Sequence, residues 1–156
     1  MKSIAVLLLL VPFCASADTI QGTVLRVADG DTLTILDAKK RERHVRVAQI
    51  DAPQRGQPFG TQSRQSLAGL CLRKPALVEW QERDKQKRYV GRVTCAGVDA
   101  GAEQVRRGMA WVSPRFTEAG SPLYELEAYA RLREVGLWAD SRAIPPWEWQ
   151  TSKAPR

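Results

Sequence analysis

Two neighbouring segments constrain the fold of this chain more than any other part of its sequence. They read VADGDTLTI (residues 27–35) and VRVAQIDAPQ (residues 45–54). Each combines apolar residues at strand spacing with a short loop that carries carboxylates. In the second segment Val45 and Val47 lie on one face of the predicted strand, with Arg46 on the other. The pattern predicts β-structure with two acidic loops close together in the chain.

The polar residues of these segments indicate a particular chemistry. Asp29 and Asp31 lie in the first loop and Asp51 in the second. Carboxylates from two loop ends can meet around a hard divalent cation, which prefers oxygen ligands. Arg46 carries a guanidinium, the group that binds phosphate through paired hydrogen bonds. With a net charge of +7 and a pI near 9.7, the combination indicates phosphodiester chemistry.

Each of these features alone has an ordinary structural explanation. Asp29-Gly30 is most often a hairpin turn. Asp51-Ala52-Pro53 is a common strand exit, because proline forces the preceding residue into an extended conformation. A single Arg46 would be a solvated strand residue. The functional interpretation depends on their joint occurrence, in this order and at this spacing.

The combination resembles the thermonuclease, or staphylococcal-nuclease-like, family. The motifs that carry the resemblance are DGDT, RVAQIDAP, GQPFG, a later basic strand and EQVRRGMAWV. The resemblance covers the chain from about Thr19 to Trp149. The resemblance implies an α+β protein whose OB-fold five-stranded β-barrel carries about three α-helices. It also implies calcium as the cofactor, and hydrolysis of DNA or RNA at the 5′ P–O bond.

The same resemblance implies roles for individual residues of the two loops. Asp31 and Asp51 would bind Ca²⁺ directly, and the carbonyl of Ala52 would be a third protein ligand. Asp29 would hold a water of the metal's shell, and Thr32 would support that shell.

The catalytic residues implied by the resemblance are Arg46 and Arg88, which would clamp the phosphate. The chain departs from the family where Gln54 follows the proline, because that position is usually Glu. Glutamine can orient a water but cannot accept its proton. A second departure is Gln86-Lys87, which stands where the family usually has Tyr-Gly. The replacement affects the geometry of this loop and removes an aromatic ring that could stack.

A run of charged residues between 81 and 88 supplies further candidates for substrate binding. We predict that Lys85, Lys87 and Arg92 contact the nucleic acid. The alternative is that this run is only a solvated hairpin tip, as most charge runs are.

The ends of the chain have their own signatures. Residues 1–17 have a basic start, a short apolar core and an Ala-x-Ala ending, as signal peptides do. We expect an exported protein, periplasmic or secreted, without a membrane anchor. A nuclease-like OB-fold domain is expected at 18–150 and a short polar tail at 151–156.

Two cysteines remain after the signal peptide, Cys71 and Cys95. In an oxidising compartment a disulfide between them is the default expectation. The alternative is two separate buried thiols.

Three helices are predicted from apolar spacing, at 61–72, at 102–107 and from Pro122 to about residue 134. Trp138, Trp147 and Trp149 follow them. These rings could be stacking platforms for bases, but packing against the barrel is the favoured interpretation.

Two classes of function follow. The first is an exported calcium-dependent nuclease, slowed by Gln54, that acts on DNA or RNA as a monomer. The second is a nucleic-acid-binding OB-fold module with little or no turnover. An OB-fold that binds other anions is a third and weaker reading, since fold alone does not fix function.

Overall fold

The computed structural model describes residues 18–153, with side chains described up to residue 150. The predicted signal peptide therefore lies outside the described residues. The strands are β1 (Asp18–Val27), β2 (Thr32–Asp37), β3 (Glu42–Val47), β4 (Ile50–Asp51), β5 (Pro75–Arg83), β6 (Tyr89–Cys95), β7 (Val98–Asp99) and β8 (Trp111–Val112). The α-helices are α1 (Gly60–Cys71), α2 (Ala100–Arg106), α3 (Leu123–Leu132) and α4 (Pro146–Lys153), and a 3₁₀ helix spans Gly136–Ala139.

Five of the strands form a closed barrel. Their order is β3-β2-β1-β5-β6, with antiparallel neighbours, and β3 pairs with β6 in parallel to close the ring. The pairing register shifts between Val24 and Arg26 and between Trp80 and Glu82, and such bulges bend strands as a small barrel requires. The predicted α+β, OB-fold barrel is confirmed.

The barrel interior is filled by the apolar faces of its strands. Val45 and Val47 are buried, whereas His44 is exposed and Arg46 is only partly buried, which confirms the alternation expected from the sequence. Leu67 on α1 is fully buried against the same core. The helix therefore packs against the barrel next to the first acidic loop.

The structure describes four α-helices, whereas about three were predicted. The first three begin and end within a few residues of their predicted positions. The additional helix α4 has only eight residues, too few for the apolar period of a helix to stand out. Pro146 occupies its first position, where the missing N–H has no intrahelical partner to lose. This helix ends at Lys153, beyond the domain boundary predicted at residue 150.

Cys71 and Cys95 form the predicted disulfide, and their Cα atoms are 5.2 Å apart. The bond joins the last residue of α1 to the last residue of β6, so it fixes the helix to the barrel wall. Among residues 18–153, no helix has the length and apolar character needed to cross a membrane.

Candidate active site

The loop between β1 and β2 carries the first pair of acidic residues. The backbone N–H of Asp31 donates to Oδ1 of Asp29 (3.1 Å). Gly30 between them is buried, and a Cβ atom there would lie 1.8 Å from Oγ of Ser63 on α1. Only glycine fits at this contact. The loop is thus packed against a helix, unlike a free hairpin tip.

Asp31 is a buried carboxylate, with 6% of the residue exposed. It accepts hydrogen bonds from the backbone N–H of Ala52 (2.9 Å) and from the hydroxyl of Thr32 (2.9 Å). Burial raises the pKa of Asp31 to about 7, although the charge of Arg46 and these hydrogen bonds act in the opposite direction. The negative charge of Asp31 is therefore costly even with the Arg46 guanidinium beside it, and a further cation would offset that cost.

Arg46 connects the two acidic loops. Its Nη1 lies 3.4 Å from both carboxylate oxygens of Asp31. Its Nη2 donates to the carbonyl of Ile50 (3.2 Å) and to Asp51. Burial alone would lower the pKa of Arg46, but the two carboxylates raise it. The hydroxyl of Ser113 holds the other oxygen of Asp51 at 2.7 Å, so both carboxylates are oriented toward one guanidinium.

Arg88 reaches the same network from the hairpin between β5 and β6. Its Nη1 donates to Oγ1 of Thr32 (3.2 Å), and its Nε donates to Asp84 (2.7 Å). Partial burial would raise the pKa of Asp84, but the hydrogen bonds from Arg88 lower it below its ordinary value. Asp84 thus stays charged and holds Arg88 in place.

These groups line one open cleft of about 570 Å³, within the size range of ligand sites. Its lining residues are Asp29, Asp31, Arg46, Asp51, Ala52, Pro53, Gln54, Arg55, Gln86, Arg88, Pro146, Trp147 and Gln150. The cleft brings together most residues predicted for the metal and the reaction. Thr32 does not line it but hydrogen-bonds to Asp31 and Arg88.

The three residues predicted to bind substrate lie apart from this lining. Lys85 and Lys87 are exposed in the turn of the β5–β6 hairpin. Arg92 lies on β6 and forms an ion pair with Asp99 (2.7 Å). The structure does not bring these three residues into the cleft.

Sequence reasoning missed the residues that support the acidic loops from behind. Gln104 of α2 is fully buried, and its Nε2 donates to the carbonyls of Gly30 (2.9 Å) and Ser63 (3.1 Å). A glutamine on the inward side of a short helix, next to buried Val105, is the signal that could have identified it. Ser113 follows the short strand β8 and has no comparable signal in the sequence.

The position of Gln54 is fixed through its backbone. Its N–H donates to Oε1 of Gln57 (3.0 Å), and Nε2 of Gln57 donates to the carbonyl of Ile144 (2.6 Å). Gln57 is buried and thereby ties the loop after β4 to the segment before α4. The side chain of Gln54 lines the cleft.

The donor set of the cleft is compatible with a hard cation. Within the described residues, no group of three or more His, Cys, Asp or Glu side chains is arranged as a metal site. Three aspartates line the cleft, Asp29, Asp31 and Asp51, and carboxylate oxygens are ligands that calcium and magnesium prefer. The costly charge of buried Asp31 is the observation that favours a cation here, because a cation would offset it.

The closed barrel with a cleft on its side defines an OB-fold protein. Residues 44–140 match the family model described as staphylococcal nuclease homologue. The chain is 36% identical over 156 residues to "Micrococcal nuclease" of Shigella flexneri, covering 94% of this chain and 88% of that protein. It is 35% identical over 160 residues to "Protein ParB" of Escherichia coli (96% and 90% covered). It is also 36% identical over 136 residues to an "Uncharacterized endonuclease" of Escherichia coli O157:H7 (86% and 87% covered).

The protein therefore belongs to the staphylococcal nuclease homologue family, whose members are hydrolytic enzymes that cleave nucleic acids.

Proposed function

We propose that the protein is an exported, calcium-dependent nuclease that hydrolyses phosphodiester bonds of DNA, RNA or both. The observation that carries the proposal is the Arg46 guanidinium shared by the carboxylates of Asp31 and Asp51. All three side chains line one cleft together with Arg88. The name of the Shigella flexneri relative also supports nuclease activity.

In this proposal Asp31 and Asp51 hold the calcium ion, with the carbonyl of Ala52 as a further ligand and Asp29 and Thr32 beside them. When bound, the cation would neutralise charge on the phosphate and favour attack by water. Asp51 is already held by Ser113 (2.7 Å) and Asp31 by Ala52 (2.9 Å). Such contacts orient ligands before a metal binds, which raises affinity and precision.

The two arginines supply the positive charge for the phosphate. Arg46 and Arg88 are linked through Thr32 and Asp31, so both guanidiniums belong to one hydrogen-bonded network. Fixed donors of this kind stabilise the charge that builds up on phosphate oxygens in the transition state. Because each is held by a carboxylate, little reorganisation is needed when substrate binds.

Gln54 is the reason to propose slow turnover. The acids that line the cleft are Asp29, Asp31 and Asp51, and the proposal already uses all of them around the cation. The amide of Gln54 can orient the attacking water but cannot take its proton. The proton must then pass to solvent or to a less well placed carboxylate, and a missing general base typically costs about 10²–10⁴ in rate.

The same observation favours a second candidate function. If Gln54 abolishes turnover, the cleft would bind the phosphate backbone without cutting it, and the protein would act as a nucleic-acid-binding module. OB-folds serve this role without any catalytic group.

The test uses the oxidised mature chain that begins at Asp18, incubated with supercoiled plasmid and with single-stranded RNA. Nicking in calcium, and none with a chelator, is the expected result. Arg46→Met should reduce cleavage by about 10²–10³. Arg133→Met, which removes an exposed arginine just after α3 that does not line the cleft, should leave cleavage unchanged. Retention of nucleic acid without nicking supports the binding module. If the protein neither binds nor cleaves nucleic acid, both functions are overturned.

Export is proposed from the apolar run and Ala-x-Ala ending of residues 1–17. Mass spectrometry of the protein recovered outside the cytoplasm should give a chain that begins at Asp18. An intact Met1 in that fraction would contradict the proposal.

A further inference from the structure

Trp147 differs from the other tryptophans of the chain. Trp80 packs edge-on against Tyr89, with 4.8 Å between ring centroids, and Trp111 packs against Trp138 (5.8 Å). Trp149 lines a small separate cavity beneath α4. Trp147 is 38% exposed and lines the cleft of Arg46 and Arg88 instead.

The position of Trp147 is fixed relative to the cleft. Pro146, Trp147 and Gln150 all line it, so one side of α4 forms part of the cleft wall. The helix begins at a segment whose Ile144 carbonyl is bound by buried Gln57, 2.6 Å away. Gln57 also binds the backbone of Gln54. The same side chain thus positions both the helix and the loop of Gln54.

An aromatic ring in this cleft has a clear chemical use. The guanidiniums of Arg46 and Arg88 can bind phosphate, but a nucleotide also presents the flat apolar face of its base. Trp147 is the only aromatic residue among those that line the cleft, and the β5–β6 hairpin contributes Gln86 there. Proteins that hold single strands combine a cationic track with rings on which bases stack.

We propose that Trp147 is a substrate-binding residue that stacks on a nucleobase of a single strand whose phosphate lies at Arg46 and Arg88. This inference rests on the proposed function, because it uses the same cleft. The strand must be single or locally opened at this point, because the faces of a base inside a duplex are covered by its stacked neighbours. Recognition would be tolerant of sequence, because every base has a π-face.

The test measures binding of fluorescein-labelled single-stranded DNA by anisotropy, with a chelator present so that no cleavage occurs. One oligonucleotide carries all its bases, and the other has the same backbone with abasic sites. The wild-type protein should bind the complete strand about tenfold or more tightly than the abasic one. Trp147→Ala should bring this ratio close to one, whereas Trp147→Phe should keep most of it.

Phe116→Ala is the matched control, because Phe116 is an exposed ring (57%) that does not line the cleft. It should leave the ratio unchanged. If Trp147→Ala weakens both oligonucleotides equally, Trp147 only packs the tail and the proposal is wrong. If that variant does not fold, the wild-type ratio and Trp147→Phe decide, and a wild-type ratio near one overturns the proposal.

The outcomes separate this proposal from the proposed function. Calcium-dependent cleavage by a wild type that does not distinguish the two oligonucleotides leaves the nuclease assignment standing and removes the stacking role. A strong preference for the complete strand without any cleavage supports the stacking role and removes the nuclease assignment. If the wild type both cleaves in calcium and prefers the complete strand, Trp147→Ala should raise KM for single-stranded DNA by about tenfold. It should change kcat little, since the ring is not a reacting group.

Discussion

The two halves of the cleft are built in different ways. The acidic half, Asp31 and Asp51 with their partners, is held by residues far away in the chain: Ser113 lies 62 residues from Asp51, and Gln104 lies 74 residues from Gly30. The basic half, Arg88 on its hairpin, is held mainly by Asp84 only four residues away (2.7 Å), with one longer hydrogen bond to Thr32 (3.2 Å). The acidic half therefore depends on the whole fold, whereas the basic half depends mainly on one hairpin.

The carboxylates of the two halves also respond differently to their surroundings. Burial raises the pKa of Asp31, but hydrogen bonds from Arg88 lower the pKa of half-buried Asp84. The first carboxylate destabilises the fold when it is charged, and the second does not. We therefore expect changes in the acidic half to alter both stability and activity, whereas changes in the basic half should alter mainly activity.

The largest expected effect comes from Gln54→Glu, which leaves the construction of both halves unchanged. A positioned general base is worth about 10²–10⁴ in rate. The variant should therefore cleave single-stranded DNA faster by up to that factor, through kcat, in steady-state assays with saturating calcium.

Gln150→Glu is the matched control for this gain, because Gln150 also lines the cleft. It adds the same charge at another point of the wall. An equal gain from Gln150→Glu would mean that added charge, and not a general base at position 54, causes the increase.

Arg46→Met and Arg88→Met compare the two halves directly. Each should reduce cleavage by about 10²–10³, the typical cost of losing one fixed donor to the transition state. Arg46→Met should also cost about 3–5 kcal/mol in the free energy of unfolding, because it leaves two carboxylates without their counter-charge. Arg88→Met should cost at most about 1 kcal/mol, as partly exposed ion pairs do. Equal losses in urea unfolding of the two variants would contradict the comparison.

Gln104→Met tests the support behind the acidic half at lower cost. It keeps the volume but leaves the carbonyls of Gly30 and Ser63 without their donor, which should reduce stability by about 1–3 kcal/mol. Cleavage should fall less than in the arginine variants, since Asp31 keeps its own contacts. Gln65→Met on the exposed side of α1 is the control. If both methionine variants melt alike, the Gln104 hydrogen bonds do not support the loop.

The last effect, which does not concern cleavage, is the pH dependence of the stability of the metal-free protein. Because the pKa of Asp31 rises from 3.8 to about 7 on folding, the folded state binds more protons than the unfolded state between these values. Stability then falls as the pH rises through this window. Asp31→Asn should melt higher than the wild type by a few degrees at pH 8 in chelator and by less at pH 4. A difference that does not change with pH would exclude this contribution.

Much of this architecture could be predicted from local patterns. Alternation in residues 45–47 identifies a strand, and the short distance between the two loops in the chain predicts that Asp31 and Asp51 meet. Gln104 and Ser113 could not be predicted as partners, because their hydrogen bonds depend on how α2 and β8 pack on the barrel. Lys85, Lys87 and Arg92 were selected by charge, but charge does not determine which way a side chain points.

The tail shows the same limit. Packing is the interpretation favoured by the sequence for Trp138, Trp147 and Trp149. In the structure Trp138 packs against Trp111, and the guanidinium of Arg131 lies over the Trp138 ring, 3.8 Å from its centroid. Trp147 instead lines the cleft. The sequence contains no signal that separates these rings, since the difference arises from where Gln57 attaches the segment before α4.

The most direct test of this account is calcium binding by the acidic half, measured by titration calorimetry on the mature protein. The wild type should bind calcium, and Asp51→Asn should bind it at least about tenfold more weakly, because one charged ligand is lost. Glu82→Gln, which removes an exposed acid of β5 outside the cleft, should bind like the wild type. Calcium binding that is the same in all three proteins, or absent from the wild type, would contradict the assignment of the acidic half as the metal site.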